Sequence, residues 1–170
     1  MNNLTLDHIW GNEQAKRAVE IAQKGNHSIK FIGNGEADML KEYCKNQKLK
    51  AYAFKPCKCG YFGDNAVTCS CTPEQIKKMQ KIIKQCRTDL TITTRRVSTQ
   101  ALTQRVELPY KLEKDIMQLL LVAVEKMHLD QQAILSLLAT ASTIATLVQC
   151  QEIKPQHLAE ALQYRDREEI

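Results

Sequence analysis

Four of the chain's seven cysteines fall within residues 55–71, as the pairs Cys57-x-Cys59 and Cys69-x-Cys71. The segment carries too few apolar residues to order itself around a core, so it needs another source of order. It also separates an N-terminal part of the chain from a C-terminal one. Gly60, Gly63, Asp64 and Asn65, between the pairs, supply the turns that would fold it back on itself. Four thiolates can surround one Zn²⁺ tetrahedrally, and four protein ligands leave no open position for catalysis. The residues therefore read as a structural zinc site of Cys57, Cys59, Cys69 and Cys71, although C-x-C is less typical than C-x₂-C. The alternative is four free cysteines in a loop packed on a sheet.

Compartment bears on that choice. Met1-Asn2-Asn3-Leu4-Thr5 has neither the basic nor the apolar region of a signal peptide, so the expectation is a cytoplasmic chain. There, an odd number of cysteines favours metal ligation over a disulfide framework. The longest apolar stretch, Leu119 to Val124, is far below the ~18 residues of a membrane span, so no membrane partner is expected. Cys44, Cys86 and Cys150 lie in or at the ends of helical patterns and read as small buried apolar residues. His8, His27, His128 and His157 have no ligand spacing.

Hydrophobic residues make up 44% of the chain, enough for a packed core. Asn12 reads as the cap of a helix that buries Ala15, Ala18, Val19 and Ala22, with Gly25 as its stop. Ser28 to Ile32 alternates like a short strand, Gly33-Asn34-Gly35 is a turn, Glu36 to Asn46 a helix, and Ala51 to Phe54 a strand. Thr72-Pro73-Glu74-Gln75 combines an N-cap, a proline at the first helical position and a capping box. The helix it opens runs to about Cys86, with Ile76, Met79, Ile82 and Ile83 on its apolar side. Leu90 to Thr94 is a β-branched strand. Leu108-Pro109 marks a break, with a boundary expected near 98–110. Beyond it lie three helices: about Leu112 to Met127, one capped by Asp130 running to Val148, and one opened by Pro155 ending near Tyr164. The apolar positions Ile116, Leu119, Leu120, Ala123 and Val124 would meet Ile134, Leu137, Leu138, Ala141 and Ala145 in a small bundle.

Lys77, Lys81 and Lys84 form a stripe on the helix after the cysteines, extended by Lys78, Arg87, Arg95 and Arg96. A solvated helix face and a phosphate-contacting face both fit it. The net charge of +5 permits contact with DNA without requiring it, and only 5% aromatic residues argues against a base-stacking platform.

Four stretches, in order, resemble the magnesium-chelatase-like AAA+ family, specifically its ComM branch of competence-associated, helicase-like proteins. They are Ile9-Trp10-Gly11-Asn12-Glu13-Gln14-Ala15-Lys16-Arg17-Ala18-Val19-Glu20-Ile21-Ala22; Pro56-Cys57-Lys58-Cys59-Gly60-Tyr61-Phe62-Gly63-Asp64; Cys69-Ser70-Cys71-Thr72-Pro73-Glu74-Gln75-Ile76; and Ile153-Lys154-Pro155-Gln156-His157-Leu158-Ala159-Glu160-Ala161-Leu162-Gln163-Tyr164-Arg165. The resemblance implies an α-rich α/β fold: a reduced AAA+ remnant over residues 1–100, then a three-helix, lid-like bundle over 108–165.

It also makes the departures informative. The family's phosphate loop supplies a lysine and a threonine after the first strand. Here Gly33-Asn34-Gly35-Glu36-Ala37-Asp38 is two residues shorter, with Ala37 at the lysine position and Asp38 at the threonine position. Between Asn46 and Ala51 the family would carry its Walker B carboxylates, and a few polar residues stand there instead. Lys55 replaces a sensor asparagine, Gln132 a sensor arginine, and Ser136 and Ser142 two further arginines. Arg87 matches an Arg-x-Asp of the family, but alone it cannot rebuild the site. The expectation is therefore a chain that is not an enzyme and takes no ATP. It would be a binding or regulatory module for a protein partner, such as a full-length AAA+ relative, or else a small zinc-containing DNA-binding protein.

Overall fold

A computed structural model describes residues 4–104 and 106–165; Met1, Asn2 and Asn3 lie outside them. The chain divides into two compact units, residues 1–96 and 97–170.

The first unit is a three-stranded parallel sheet, β1 (Ile29–Ile32), β2 (Ala51–Phe54) and β3 (Leu90–Thr93), in the order β2-β1-β3. Parallel neighbours need crossovers, and helices supply them: α2 (Gly35–Asn46) links β1 to β2, and α3 (Pro73–Gln85) lies between β2 and β3. Ile29 of β1 pairs with both Ala51 and Leu90, so β1 has a neighbour on each side. For that reason β1 does not alternate as its sequence suggests: Ile29, Lys30 and Phe31 are all buried, whereas the edge strand β3 alternates half-buried Leu90 and Ile92 with exposed Thr91 and Thr93.

Helix α1 (Glu13–Gly25) lays Ala15, Ala18, Val19 and Ala22 into a core with Ile9, Ile29, Phe31, Ala37, Leu40 and Cys44. Its start and stop differ from the sequence reading. Asn26, not Gly25, takes the left-handed conformation that ends the helix, with φ 51°. Asn12 precedes the helix with φ 55°, and its side chain makes no cap. Instead Asn12 Nδ2 donates to the Arg95 carbonyl at 2.8 Å, and its Oδ1 accepts the Arg95 N–H at 2.8 Å. This pair of bonds ties the start of α1 to the chain leaving β3.

Helix α3 follows its local signals. The Thr72 hydroxyl accepts from the Gln75 N–H and the Gln75 side chain accepts from the Thr72 N–H. Its inward face is narrower than the periodicity suggests: Ile83 is buried, Ile76 and Met79 are half-buried, and Ile82 is 41% exposed. Lys30 completes the attachment. Its buried Nζ donates to the carbonyls of Ile83 at 3.0 Å and Cys86 at 2.7 Å, so a lysine on the central strand satisfies the carbonyl end of the helix.

The second unit holds α4 (Thr99–Gln104), α5 (Lys114–Met127), α6 (Gln131–Leu147) and α7 (Pro155–Gln163). The short α4 falls in a stretch the sequence reads as a break. Asp130 caps α6 through the Ala133 N–H at 2.9 Å. His157 is buried and accepts the Lys154 N–H at 3.1 Å, which completes the start of α7. Helix α7 packs against both α6 and α5, and Ile116, Leu120, Ile134, Leu137, Leu138 and Leu158 fill the interior. Leu119 is only half-buried. No helix among the described residues is long and apolar enough to cross a membrane.

Candidate metal centre

Residues 55–71 contain no helix or strand, and their order comes from turns. Gly60 and Gly63 adopt φ of 87° and 80°, conformations a side chain resists. The Gly60 N–H bonds back to the Cys57 carbonyl at 3.2 Å, closing the first turn. These turns gather the sulfurs of Cys57, Cys59, Cys69 and Cys71 to within 4.8 Å of one another.

The geometry suits a tetrahedral cation. Cys57 Sγ lies 3.3 Å from Cys59 Sγ and 3.7 Å from Cys69 Sγ, and Cys59 Sγ lies 3.6 Å from Cys69 Sγ. A Zn–S bond of about 2.3 Å puts the edge of such a tetrahedron at about 3.8 Å. Backbone donors already point at the sulfurs: Phe62 N–H to Cys57 and Cys59 N–H to Cys71, each at 3.3 Å. Cys57 is fully buried and the other three are half-buried.

The thiols do not ionise independently. Burial opposes the Cys59 thiolate, yet hydrogen bonds from the Tyr61 backbone, the Cys57 thiol, the Ser70 backbone and the Cys71 thiol hold its pKa down to about 6. At Cys69 a backbone hydrogen bond from Cys71 favours the thiolate, but burial and the bonds to Cys59 and Cys57 outweigh it and push the thiol up to about 12. Cys71 is raised too: a backbone bond from Cys59 acts against burial and the same two thiol neighbours, and loses. A thiolate at Cys59 thus works against thiolates at Cys69 and Cys71, and a bound cation would favour the ionised form of its ligands. These four residues could hold a metal ion such as zinc.

The remaining cysteines stand apart. Cys44 is buried in the first core, and burial pushes its thiol up to about 11. Cys86 lies just past the end of α3, and Cys150 donates to the Glu152 carbonyl. None of the four histidines joins a metal-ligating group among the described residues.

The loop between β1 and α2 lies against this segment. Asn34 Nδ2 donates to the Gly60 carbonyl at 3.3 Å, and a Cβ on Gly60 would overlap Asn34 Oδ1. A Cβ on Gly33 would overlap the Thr94 hydroxyl. Ala37 and Glu36 are buried in the first turn of α2, and Asp38 is exposed.

The basic stripe is brought together in part. Lys77, Lys81, Lys84 and Arg87 line one open concavity of about 610 Å³ with Gln80 and Gln85. Lys78 is exposed outside that lining. Arg96 does not extend the patch, because it is drawn inward: its Nη2 bonds Asp64 Oδ2 at 2.8 Å, and its guanidinium lies 5.4 Å from the Tyr61 ring centre. Sequence reasoning missed this contact and the Asn34–Gly60 contact. Asp64 read only as a turn former, and no local spacing links it to a residue so far along the chain.

Two family profiles match. One, described as magnesium chelatase, subunit ChlI, covers residues 37–102; the other, described as magnesium chelatase, subunit ChlI C-terminal, covers residues 73–165. No curated protein matches the chain. The second profile spans more than half of the sequence and runs from the helix after the cysteines to the end of α7. On that match the chain belongs to the magnesium chelatase ChlI family.

Proposed function

We propose that this chain is a non-catalytic binding or regulatory module that keeps an AAA+-type scaffold without its nucleotide chemistry. The observation that carries the reading is the state of the loop between β1 and α2. At the position of the family's phosphate-binding lysine stands Ala37, buried in the helix, and the next position is acidic Asp38. Asn34 is engaged with the cysteine segment, which lies over the same loop. Two acidic residues and no lysine at a helix start oppose the binding of a triphosphate. The partner of such a module is a protein, with a full-length AAA+ relative as the first candidate. Zinc in the four-cysteine centre would order residues 55–71, a structural role.

Calorimetric titration of the full chain with ATP and Mg²⁺ tests this reading. No binding at millimolar nucleotide is expected, and tight, magnesium-dependent uptake overturns it. Metal analysis of the purified protein tests the zinc: one equivalent is expected, and it should be lost on Cys57→Ser.

One observation favours a second reading, a small zinc-containing DNA-binding protein. The concavity lined by Lys77, Lys81, Lys84 and Arg87 has no acidic residue in its lining. Four phosphate contacts would make the logarithm of affinity fall by about 3.6 per tenfold rise in salt, at roughly 0.9 for each contact on a duplex. A duplex mobility shift with that salt dependence, reduced by Lys81→Gln, supports it; no shift at low salt removes it.

A further inference from the structure

We propose that the Asp64–Arg96 ion pair is a latch that preorganises the cysteine segment for its metal, and that bound metal in turn secures the chain at Arg95–Arg96. This rests on the metal-centre reading. The stretch between the cysteine pairs must double back, and Asp64 sits at its middle. One carboxylate oxygen, Oδ1, accepts the N–H groups of Ala66 and Val67 at 2.8 and 3.0 Å and so fixes the local turn. The other oxygen, Oδ2, takes the Arg96 guanidinium at 2.8 Å, with the two side chains only 22% and 14% exposed. The same guanidinium covers the Tyr61 ring, and the Asp64 N–H bonds the Tyr61 carbonyl at 3.0 Å. Arg96 therefore grips the segment at two points, both between the cysteine pairs.

The other end of the latch is rigidly mounted. Thr94 N–H bonds the Ile32 carbonyl of the central strand at 2.9 Å, and both backbone groups of Arg95 are held by Asn12. A guanidinium on so fixed a backbone removes freedom from the loop before any ion arrives, and that lowers the ordering cost of binding. Arg96 and Asp64 are thus positioning residues. Neither offers a ligand atom to the cluster. Coupling of this kind is reciprocal: if the latch strengthens metal binding, metal strengthens the latch by the same factor. Arg96 is also the last residue of the first unit, so metal occupancy would be felt where the chain passes to the second.

Zinc affinity of the full chain, measured by competition with a chromophoric chelator, tests the proposal for the wild type, Arg96→Gln, Asp64→Asn, the double variant and Arg96→Lys. Each neutral single variant should bind zinc about tenfold or more weaker, the scale on which residues supporting metal ligands act. The double variant should be no weaker than the singles, and Arg96→Lys should recover part of the loss. Circular dichroism of the metal-free proteins identifies any variant that has merely failed to fold, and Arg96→Lys keeps the test open in that case.

Trypsin supplies a readout that a packing role alone would not move. Cleavage after Arg95 and Arg96 should be slow with zinc and faster on chelation, and in Arg96→Gln cleavage after Arg95 should no longer depend on zinc. Wild-type affinity in both singles, losses that multiply in the double variant, or cleavage indifferent to zinc would each overturn the latch. If the wild type itself takes no zinc, the metal-centre reading fails first; if it does and the singles match it, the latch alone fails.

Discussion

Asn12, Asn34, Thr72 and Asp130 each stand immediately before a helix, and each is a residue type that favours that place. Thr72 and Asp130 bond the N–H groups of their own helices. Asn12 and Asn34 instead use their side chains on Arg95 and Gly60. The two kinds should respond differently to truncation. Thr72→Ala should lower stability by about 1 kcal/mol in chemical denaturation, the usual size of a lost cap, and leave the cysteine segment intact. Asn34→Ala should loosen the contact at Gly60 and raise hydrogen exchange there.

Asp89 and Asp64 add a pH dependence at the same scale. The Ser28 hydroxyl and N–H bonds hold the Asp89 carboxyl below its ordinary value. At Asp64 burial works the other way, but Arg96 and the N–H groups of Ala66 and Val67 outweigh it. Both folded values are depressed, so the stabilisation is present above the unfolded carboxylate value of about 3.9 and is lost as pH falls through the folded values. Denaturation midpoints tracked from about pH 6 to about pH 2 should therefore fall most on the acid side, and Asp64→Asn with Asp89→Asn should flatten that fall.

At the scale of elements, α3 joins the cysteine segment to the sheet. Its cap, Thr72, is the residue after Cys71, and its far end rests on the buried amine of Lys30. Lys30→Met removes the donor and leaves two carbonyls short of a partner. It should cost about 1–3 kcal/mol, seen as a lower denaturation midpoint with faster exchange in the last turn of α3. Gly60 is the corresponding hinge of the segment itself. Gly60→Ala meets both a left-handed backbone and the Asn34 side chain, so it should destabilise the fold by at least the roughly 1–2 kcal/mol of the backbone term.

At the scale of the whole molecule, order comes from two kinds of source. The core around Phe31 and Leu40 and the interior around Leu120, Ile134 and Leu138 are apolar and need no metal. In residues 55–71 only Cys57 and Gly60 are buried. Chelation should therefore lower exchange protection in that segment and leave both apolar interiors protected, as hydrogen–deuterium exchange would show. Loss of protection throughout would mean that the metal holds the entire fold.

The helix boundaries of α2, α3, α6 and α7, the strand at Ala51–Phe54 and the two cysteine pairs were legible in the sequence, because caps, prolines, periodicity and short spacings act between residues close in the chain. The burial of β1 was not, since a central strand differs from an edge only by its neighbours. The same holds for Lys30, Asn12, Asn34 and Arg96, whose partners lie 53, 83, 26 and 32 positions away. Sequence by itself determined which segments are regular and which sulfurs can meet. Only the tertiary structure decided which polar side chains leave their local roles to pin the cysteine segment, because that choice depends on backbone groups and charges that folding alone brings into reach.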